Sequence, residues 1–214
     1  MTPKFAQAVD PIFLHVLKLL DQLQVQEPVA SPEDERYAML ALFDRASAAL
    51  GATDEWNFAK YALVSWIDEM LLEIPWSGRE WWSNNVMEVE LFGTRLCYNQ
   101  FYIQAQEASK SPQRDALEVF YNCVVLGFRG IYGDPEMAAV WAPQHNLPQD
   151  LETWASRVVL AIRLGQGRPK LSEHREDIAG APPLRTRIVL MWSWVLALIL
   201  FMCNVVAFTK WYGR

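Results

Sequence analysis

Residues 188–208 constrain this chain more than any other segment. They form a run of 21 residues without a charged side chain, in which only Ser193 and Asn204 are clearly polar. Because a helix rises about 1.5 Å per residue, this run is long enough to cross a hydrocarbon layer of about 30 Å. A buried helix of a globular domain usually breaks its apolar run within about 14 residues. The sequence therefore predicts one transmembrane helix at 188–208.

The flanks of this run support a membrane span and give its orientation. Aromatic and basic side chains of the kind that anchor helices at membrane interfaces lie near both ends: Arg185, Arg187, Trp192, Trp194, Lys210, Trp211, Tyr212 and Arg214. Basic residues are more numerous before the run than after it, which predicts a cytoplasmic N-terminal part. Asp10, His15 and Lys18 interrupt the first apolar stretch, so no secretory signal is expected there. We expect a tail-anchored protein with a short tail at 209–214.

Residues 1–187 have the pattern of helices. Prolines and glycines separate long stretches of helical spacing, and no stretch alternates with the period of two that a half-buried strand needs. The sequence predicts an all-α domain at 1–165, followed by a linker at 166–187 that is rich in glycine, proline and charge. The predicted helices cover about 3–24, 32–50, 54–73, 80–91, 94–108 and 149–164, with a sixth in chain order that begins at Ser111 and Pro112 and keeps its spacing to Tyr132.

Charge and cysteine content exclude several classes of function. Residues 1–187 hold 17 Lys and Arg against 25 Asp and Glu, and an acidic body repels phosphate backbones, so no nucleic-acid partner is expected. Cys97, Cys123 and Cys203 show no paired spacing, which argues against a disulfide framework and favours a reducing compartment.

Motifs that hold cofactors or metals are missing from the sequence. It contains neither G-x-x-x-x-G-K-[ST] nor G-x-G-x-x-G after a strand, and its three histidines, His15, His145 and His174, are far apart. Cys97 and Cys123 lie on predicted helix faces, where a buried thiol is the usual explanation. We therefore predict no catalytic residue, no cofactor and no metal.

Asp68 and Glu69 are the carboxylates that invite a functional interpretation. Asp68 lies on an apolar stripe with Tyr61, whereas Glu69 points about 100° away. The two carboxylates therefore diverge too far to serve as an acid and a base acting on one atom. Two interpretations remain open: structural carboxylates, or the acidic edge of a cleft that binds a partner. A membrane-anchored hydrolase using either carboxylate, and a groove protein that captures an amphipathic helix, are alternatives.

Two sets of small residues suggest close helix contacts. Ser193, Ala197 and Asn204 recur on one face of the predicted membrane helix, which favours association with another span, although chance placement explains them as well. Gly127, Gly130 and Gly133 form a predicted ridge at the end of the sixth helix, typical of close packing or helix termination.

Two motifs resemble one protein family. Residues 60–69, KYALVSWIDE, are followed by Pro75 and Trp76 and then by tryptophans; residues 117–132, LEVFYNCVVLGFRGIY, end in G-F-x-G-x-Y. Both resemble the DotU/TssL (IcmH-like) family of inner-membrane subunits of bacterial type VI and type IVB secretion systems. The motif residues are Trp76, Gly127, Phe128, Gly130 and Tyr132.

This resemblance implies a fold, a location and partners. The expected fold is two small packed helical bundles in a hook-like cytoplasmic domain, held in the inner membrane by one helix with a periplasmic tail. The expected partners are an IcmF/TssM-like membrane protein, a TssK-like baseplate adaptor and, through the complex, a TssJ-like lipoprotein, together with self-association. Asp68 and Glu69 match the family's acidic pair, and together with Tyr61 they are the candidate residues of a partner-binding cleft. A type VI role is favoured, with a type IVB stabilising subunit as the alternative.

Overall fold

A computed structural model describes residues 1–25 and 31–165 and, within the uncharged run, Trp192, Trp194, Val195, Leu198 and Met202. All regular structure among these residues is helical, so the all-α prediction is confirmed for them. The chain separates into two compact units, Met1–Pro169 and Lys170–Arg214. Helices α1 to α9 span Pro3–Gln24, Pro32–Leu50, Asp54–Glu73, Arg79–Asn84, Met87–Phe92, Cys97–Ala108, Asp115–Val125, Pro135–Gln144 and Leu151–Gly165.

The first three helices begin and end where local signals predict. At the start of α2, the Ser31 side chain accepts a hydrogen bond from the Asp34 backbone N–H, and Pro32 occupies the first helical position. At the start of α3, the Thr53 hydroxyl accepts from the Trp56 N–H at 3.2 Å. The positive φ of 73° at Gly51 ends α2.

The predicted helix at 80–91 is wrong, because two short helices occupy this segment. Asn85 and Val86 leave the helical conformation between α4 and α5. The start of α6 at Cys97, instead of 94, follows from Gly93, whose φ of 69° ends α5. Helix α8 was not predicted, although Asp134 caps it and Pro135 opens it.

The predicted sixth helix is wrong at both ends. Helix α7 begins at Asp115, after bends at Ser111 and Pro112, and ends at Val125. Gly127 then takes a φ of 121°, and a 3-10 turn covers Gly130–Gly133. These glycines form no ridge on a helical face, because they follow the last turn of α7, and Gly127 lies where helix termination, one of the two predicted roles, places it.

Helix α3 is the centre of the domain. It contacts α1, α2, α4, α5, α6 and α7. Every residue from 61 to 68 is buried, which explains why this helix carries two apolar stripes instead of one. Its Trp66 packs on Phe13 of α1, with ring centroids 5.2 Å apart. Side chains that emerge from α3 therefore reach most of the domain.

In the part of the chain that the structure describes, no helix is both long and apolar enough to cross a membrane. The five described residues of the run 188–208 are helical and exposed. Ser193, Ala197 and Asn204 lie outside the described residues.

Candidate functional site

Carboxylates on α3 and α5 accept hydrogen bonds from backbone N–H groups at the starts of elements that follow them in the chain. We call them the capping carboxylates: Glu55, Asp68 and Glu69 on α3, and Glu88 on α5. The first backbone N–H groups of a helix have no partner within it, so a carboxylate there satisfies them and complements the helix dipole. Helix α3 thereby fixes where α5, α7 and the 3-10 turn begin.

Asp68 lies in the interior, with 1% of its surface exposed. Its Oδ1 accepts from the Trp82 indole N–H at 2.9 Å and from the Met87 N–H at 3.0 Å, and its Oδ2 accepts from the Glu88 N–H at 2.9 Å. Burial raises the pKa of Asp68 to about 6, and the three hydrogen bonds oppose this shift because they favour the charged form. Asp68 therefore anchors the first turn of α5.

Glu88 continues this network toward α6. It is 1% exposed, and its Oε1 accepts from the Tyr61 hydroxyl at 3.1 Å, from the Thr94 hydroxyl at 2.8 Å and from the Leu96 N–H at 2.8 Å. Its Oε2 accepts from the Cys97 N–H at 3.1 Å. Burial, followed by the charge of Glu88, raises the pKa of Tyr61 far above its usual value, so the hydroxyl stays protonated and donates.

Glu69 caps the 3-10 turn from another side of α3. It is half-buried, with Oε1 2.5 Å from the Arg129 backbone N and Oε2 3.0 Å from the Gly130 N. Burial raises the pKa of Glu69 to about 7, with a smaller contribution from the charge of Glu73, while the two N–H groups and Arg129 lower it. Of Tyr61, Asp68 and Glu69, only Glu69 has substantial access to solvent.

The structure thus brings Tyr61 and Asp68 into one buried network with Glu88, and it places Glu69 apart from them. Tyr61 also lines a pocket of about 550 Å³ with Phe58, Phe92 and Gln100 among its walls. Sequence reasoning missed Glu88, because nothing in its local sequence distinguishes a buried capping carboxylate from a surface glutamate.

The motif residues near the 3-10 turn build that turn. Phe128 is fully buried and stacks on Phe101, with centroids 3.9 Å apart. The Tyr132 hydroxyl donates to the Pro148 carbonyl at 2.6 Å. Gly130 has a φ of 49° within the turn. Away from the turn, the Trp76 indole N–H donates to the Leu71 carbonyl at 2.9 Å. Phe128, Gly130 and Tyr132 thus lie in or beside the turn, whereas Trp76 bonds to the last turns of α3.

Residues 1–25 and 31–165 contain no group of three His, Cys, Asp or Glu side chains that could hold a metal ion. Cys97 and Cys123 are free thiols, and burial raises the pKa of both well above the usual value. Raised thiol pKa values mean little thiolate at neutral pH, so neither is an activated nucleophile.

We predict that the stability of the domain depends on the ionisation of Asp68. The usual pKa is 3.8 and the folded pKa is about 6, so between these values the folded state binds more protons than the unfolded state. This contribution to stability is complete below pH 3.8 and is lost as pH rises through 6. The unfolding free energy of the wild type, relative to Asp68→Asn, should fall by about 3 kcal/mol between pH 3.5 and pH 7.5.

Urea unfolding of both proteins across this pH range measures the difference. Glu69 is present in both, so its own titration cancels. A difference that does not change with pH would contradict the prediction.

Comparison with known proteins places the fold. A family model described as type VI secretion system protein DotU matches residues 4–212. The fold is similar to the cytoplasmic domain of TssL from Acinetobacter baumannii, with a TM-score of 0.57 and 23% identity over 75% of this chain and 98% of that one. SciP/TssL of the type VI secretion system from Escherichia coli Enteroaggregative 042 gives a TM-score of 0.50 and 20% identity, over 60% of this chain and 76% of that one. No curated protein matches the chain.

Proposed function

The chain belongs to the DotU family of type VI secretion system proteins and is a non-enzymatic component of that system. We therefore propose that it is a tail-anchored subunit of the type VI membrane complex. Residues 1–165 form the cytoplasmic helical domain, 166–187 the linker, 188–208 the inner-membrane span and 209–214 a periplasmic tail. The family match over 4–212 carries this proposal. The two-bundle, hook-like arrangement that the resemblance implies is part of it.

The proposed role is to link membrane and cytoplasmic components. An IcmF/TssM-like protein would pair with the span, a TssK-like adaptor would bind the helical domain, and a TssJ-like lipoprotein would join through the complex. Support for the span comes from its length and lack of charge. Ser193, Ala197 and Asn204 would contribute to self-association or to pairing with that partner.

The proposed partner-binding surface is centred on Glu69. Tyr61 and Asp68 would act from the interior, by holding α5 and α6 in place, since both are at most 5% exposed. Glu73 lies one turn after Glu69 on α3 and is exposed. Glu73 presents negative charge to solvent beside Glu69, which suits a basic patch on the adaptor.

We predict that Glu73→Lys weakens binding of the baseplate adaptor by about tenfold while the melting temperature changes little, because the side chain is exposed and the charge reversal acts on the partner. Asp44→Lys is the matched control, since Asp44 is an exposed carboxylate on α2. Pull-down of the adaptor by the purified full chain measures both. Equal binding by the two variants would exclude this surface.

Affinity capture of the full chain from native membranes in mild detergent tests the function. We expect an IcmF/TssM-like protein and baseplate subunits of a type VI system in the captured set. Recovery of type IVB components instead would favour the alternative role as a stabilising subunit of that system. Intact, membrane-inserted protein that brings neither set would overturn the proposal.

A further inference from the structure

The last helix of the domain, α9, leaves an apolar face uncovered. Leu160 is 58% exposed and Leu164 is 72% exposed. They are four positions apart, so they lie one turn apart on the same face. Arg157 and Arg163, three residues before and after Leu160, are exposed beside them. We call these four side chains the α9 face.

The opposite side of α9 holds the helix in a fixed orientation. Trp154, Val158 and Ile162 are buried, and α9 packs against α7. At the end of the helix, a Cβ on Gly165 would collide with the side chain of Arg114, so the last turn is packed against that arginine. The α9 face therefore points outward as a consequence of core packing.

The charge of the α9 face is opposite to that of the domain that carries it. Residues 1–187 hold 17 basic and 25 acidic side chains, whereas the α9 face has two arginines. Its acidic neighbours are Asp150, which interacts with the charge of Arg157, and Glu152, two turns before Leu160. Exposed leucines flanked by arginines are typical of helices that lie in the headgroup region of anionic bilayers. Arginine stems also pack along apolar surface while their guanidinium groups remain at the polar boundary.

A second exposed leucine pair shows that apolar exposure alone does not make such a face. Leu14 and Leu17 on α1 are 66% and 38% exposed. Asp10, Lys18 and Asp21 flank them and give a net negative charge. An anionic surface would repel this pair and attract the α9 face.

The distance along the chain also favours a lipid partner. The α9 helix ends at Gly165, and 22 residues lie between it and the uncharged run that begins at Ile188. Even a fully extended chain of that length reaches at most about 75 Å. A domain held within this distance of a bilayer meets lipid headgroups at high local concentration.

We propose that the α9 face binds the anionic lipid surface of the membrane in which the chain is anchored. Leu160 and Leu164 enter the boundary between headgroups and acyl chains, while Arg157 and Arg163 bind lipid phosphates. This inference rests on the proposed span at 188–208.

Site-specific photocrosslinking in the reconstituted full chain tests this contact. A p-benzoylphenylalanine residue is placed at Leu164, or at Leu14 as the matched control, and the protein is reconstituted into vesicles of phosphatidylglycerol and phosphatidylcholine. We expect lipid adducts at position 164 at least tenfold above those at position 14. Arg157→Glu combined with Arg163→Glu should reduce the adducts at 164 at least fivefold, because each basic residue near an anionic surface contributes about a fivefold factor in binding. Pure phosphatidylcholine vesicles should give a similar reduction.

The outcomes separate this inference from the proposed function. Protein that sodium carbonate extracts from the vesicles has no span, which overturns the proposed anchor and this inference together. Protein that resists extraction but gives equal adducts at 164 and 14 overturns only the lipid contact. Crosslinks from 164 to a protein, with no lipid adducts in native membranes, would assign the α9 face to a protein partner and overturn the proposal.

Discussion

Replacing Asp68 with alanine should lower the free energy of unfolding of the helical domain by about 3–5 kcal/mol. The carboxylate accepts three hydrogen bonds in a site that is 1% exposed. Its removal leaves the Trp82 indole N–H and the first N–H groups of α5 buried without their acceptor. Each such group loses its hydrogen bond to water on folding and gains nothing in return, so the losses accumulate.

Two further variants separate this mechanism from a general effect of removing charge. Asp68→Asn keeps one acceptor oxygen and the side-chain volume, so its loss should be smaller than that of Asp68→Ala at pH 7. Asp44→Ala removes an exposed carboxylate from α2, and its effect should stay within about 0.5 kcal/mol. Urea unfolding of the full chain in one detergent, followed by far-ultraviolet circular dichroism, measures all three. An Asp68→Ala loss equal to that of Asp44→Ala would show that α5 does not depend on this cap.

Whether the start of a helix could be predicted from the sequence depends on how far along the chain its capping side chain lies. The starts of α2 and α3 depend on side chains three residues from the N–H they bind, Ser31 and Thr53. Such signals lie within one short window of sequence. The two apolar stripes of α3 likewise predict burial on nearly all sides, and the structure shows it.

Other boundaries depend on residues that are distant in the chain. The start of α7 is held by Glu55, which accepts a hydrogen bond from the Ala116 N–H, 61 residues later in the chain. The start of α5 is held by Asp68, 19 residues before Met87. Local signals instead predict a helix start at Ser111 and Pro112, because the type and spacing of those residues are typical of one. Only the packed fold brings the acceptor to the N–H group.

One property of the candidate site could be predicted from the sequence and another could not. The 100° between neighbouring helical positions predicts that Asp68 and Glu69 diverge, and they bind different segments, α5 and the 3-10 turn. Their exposure could not be predicted, since it depends on how α4 and α5 pack over α3. Placing lysine at both positions would therefore disrupt the fold as well as any surface, which is why Glu73 is the better position for charge reversal.

Substituting Gly130 with alanine should destabilise the domain by about 2–4 kcal/mol and reduce binding of the baseplate adaptor. A Cβ at this position would lie 2.6 Å from the Tyr98 carbonyl oxygen and 3.0 Å from the Phe128 ring. The backbone also has a φ of 49°, which costs a residue with a Cβ about 1 kcal/mol. Relief of the clash must move the turn, and the Gly130 N–H, which donates to the Glu69 carboxylate, moves with it.

Gly93→Ala separates the steric clash from the backbone conformation. Gly93 has a φ of 69°, and nothing lies within 4 Å of the point that a Cβ would occupy, so alanine there should cost only about 1 kcal/mol and leave adaptor binding unchanged. Thermal unfolding and adaptor pull-down of the two full-length variants give the comparison. Equal destabilisation would mean that the contact with the Tyr98 carbonyl relaxes freely. If Gly130→Ala is destabilised but binds the adaptor as well as the wild type, the 3-10 turn does not contribute to the proposed surface. That surface requires Glu69 to be held by the turn.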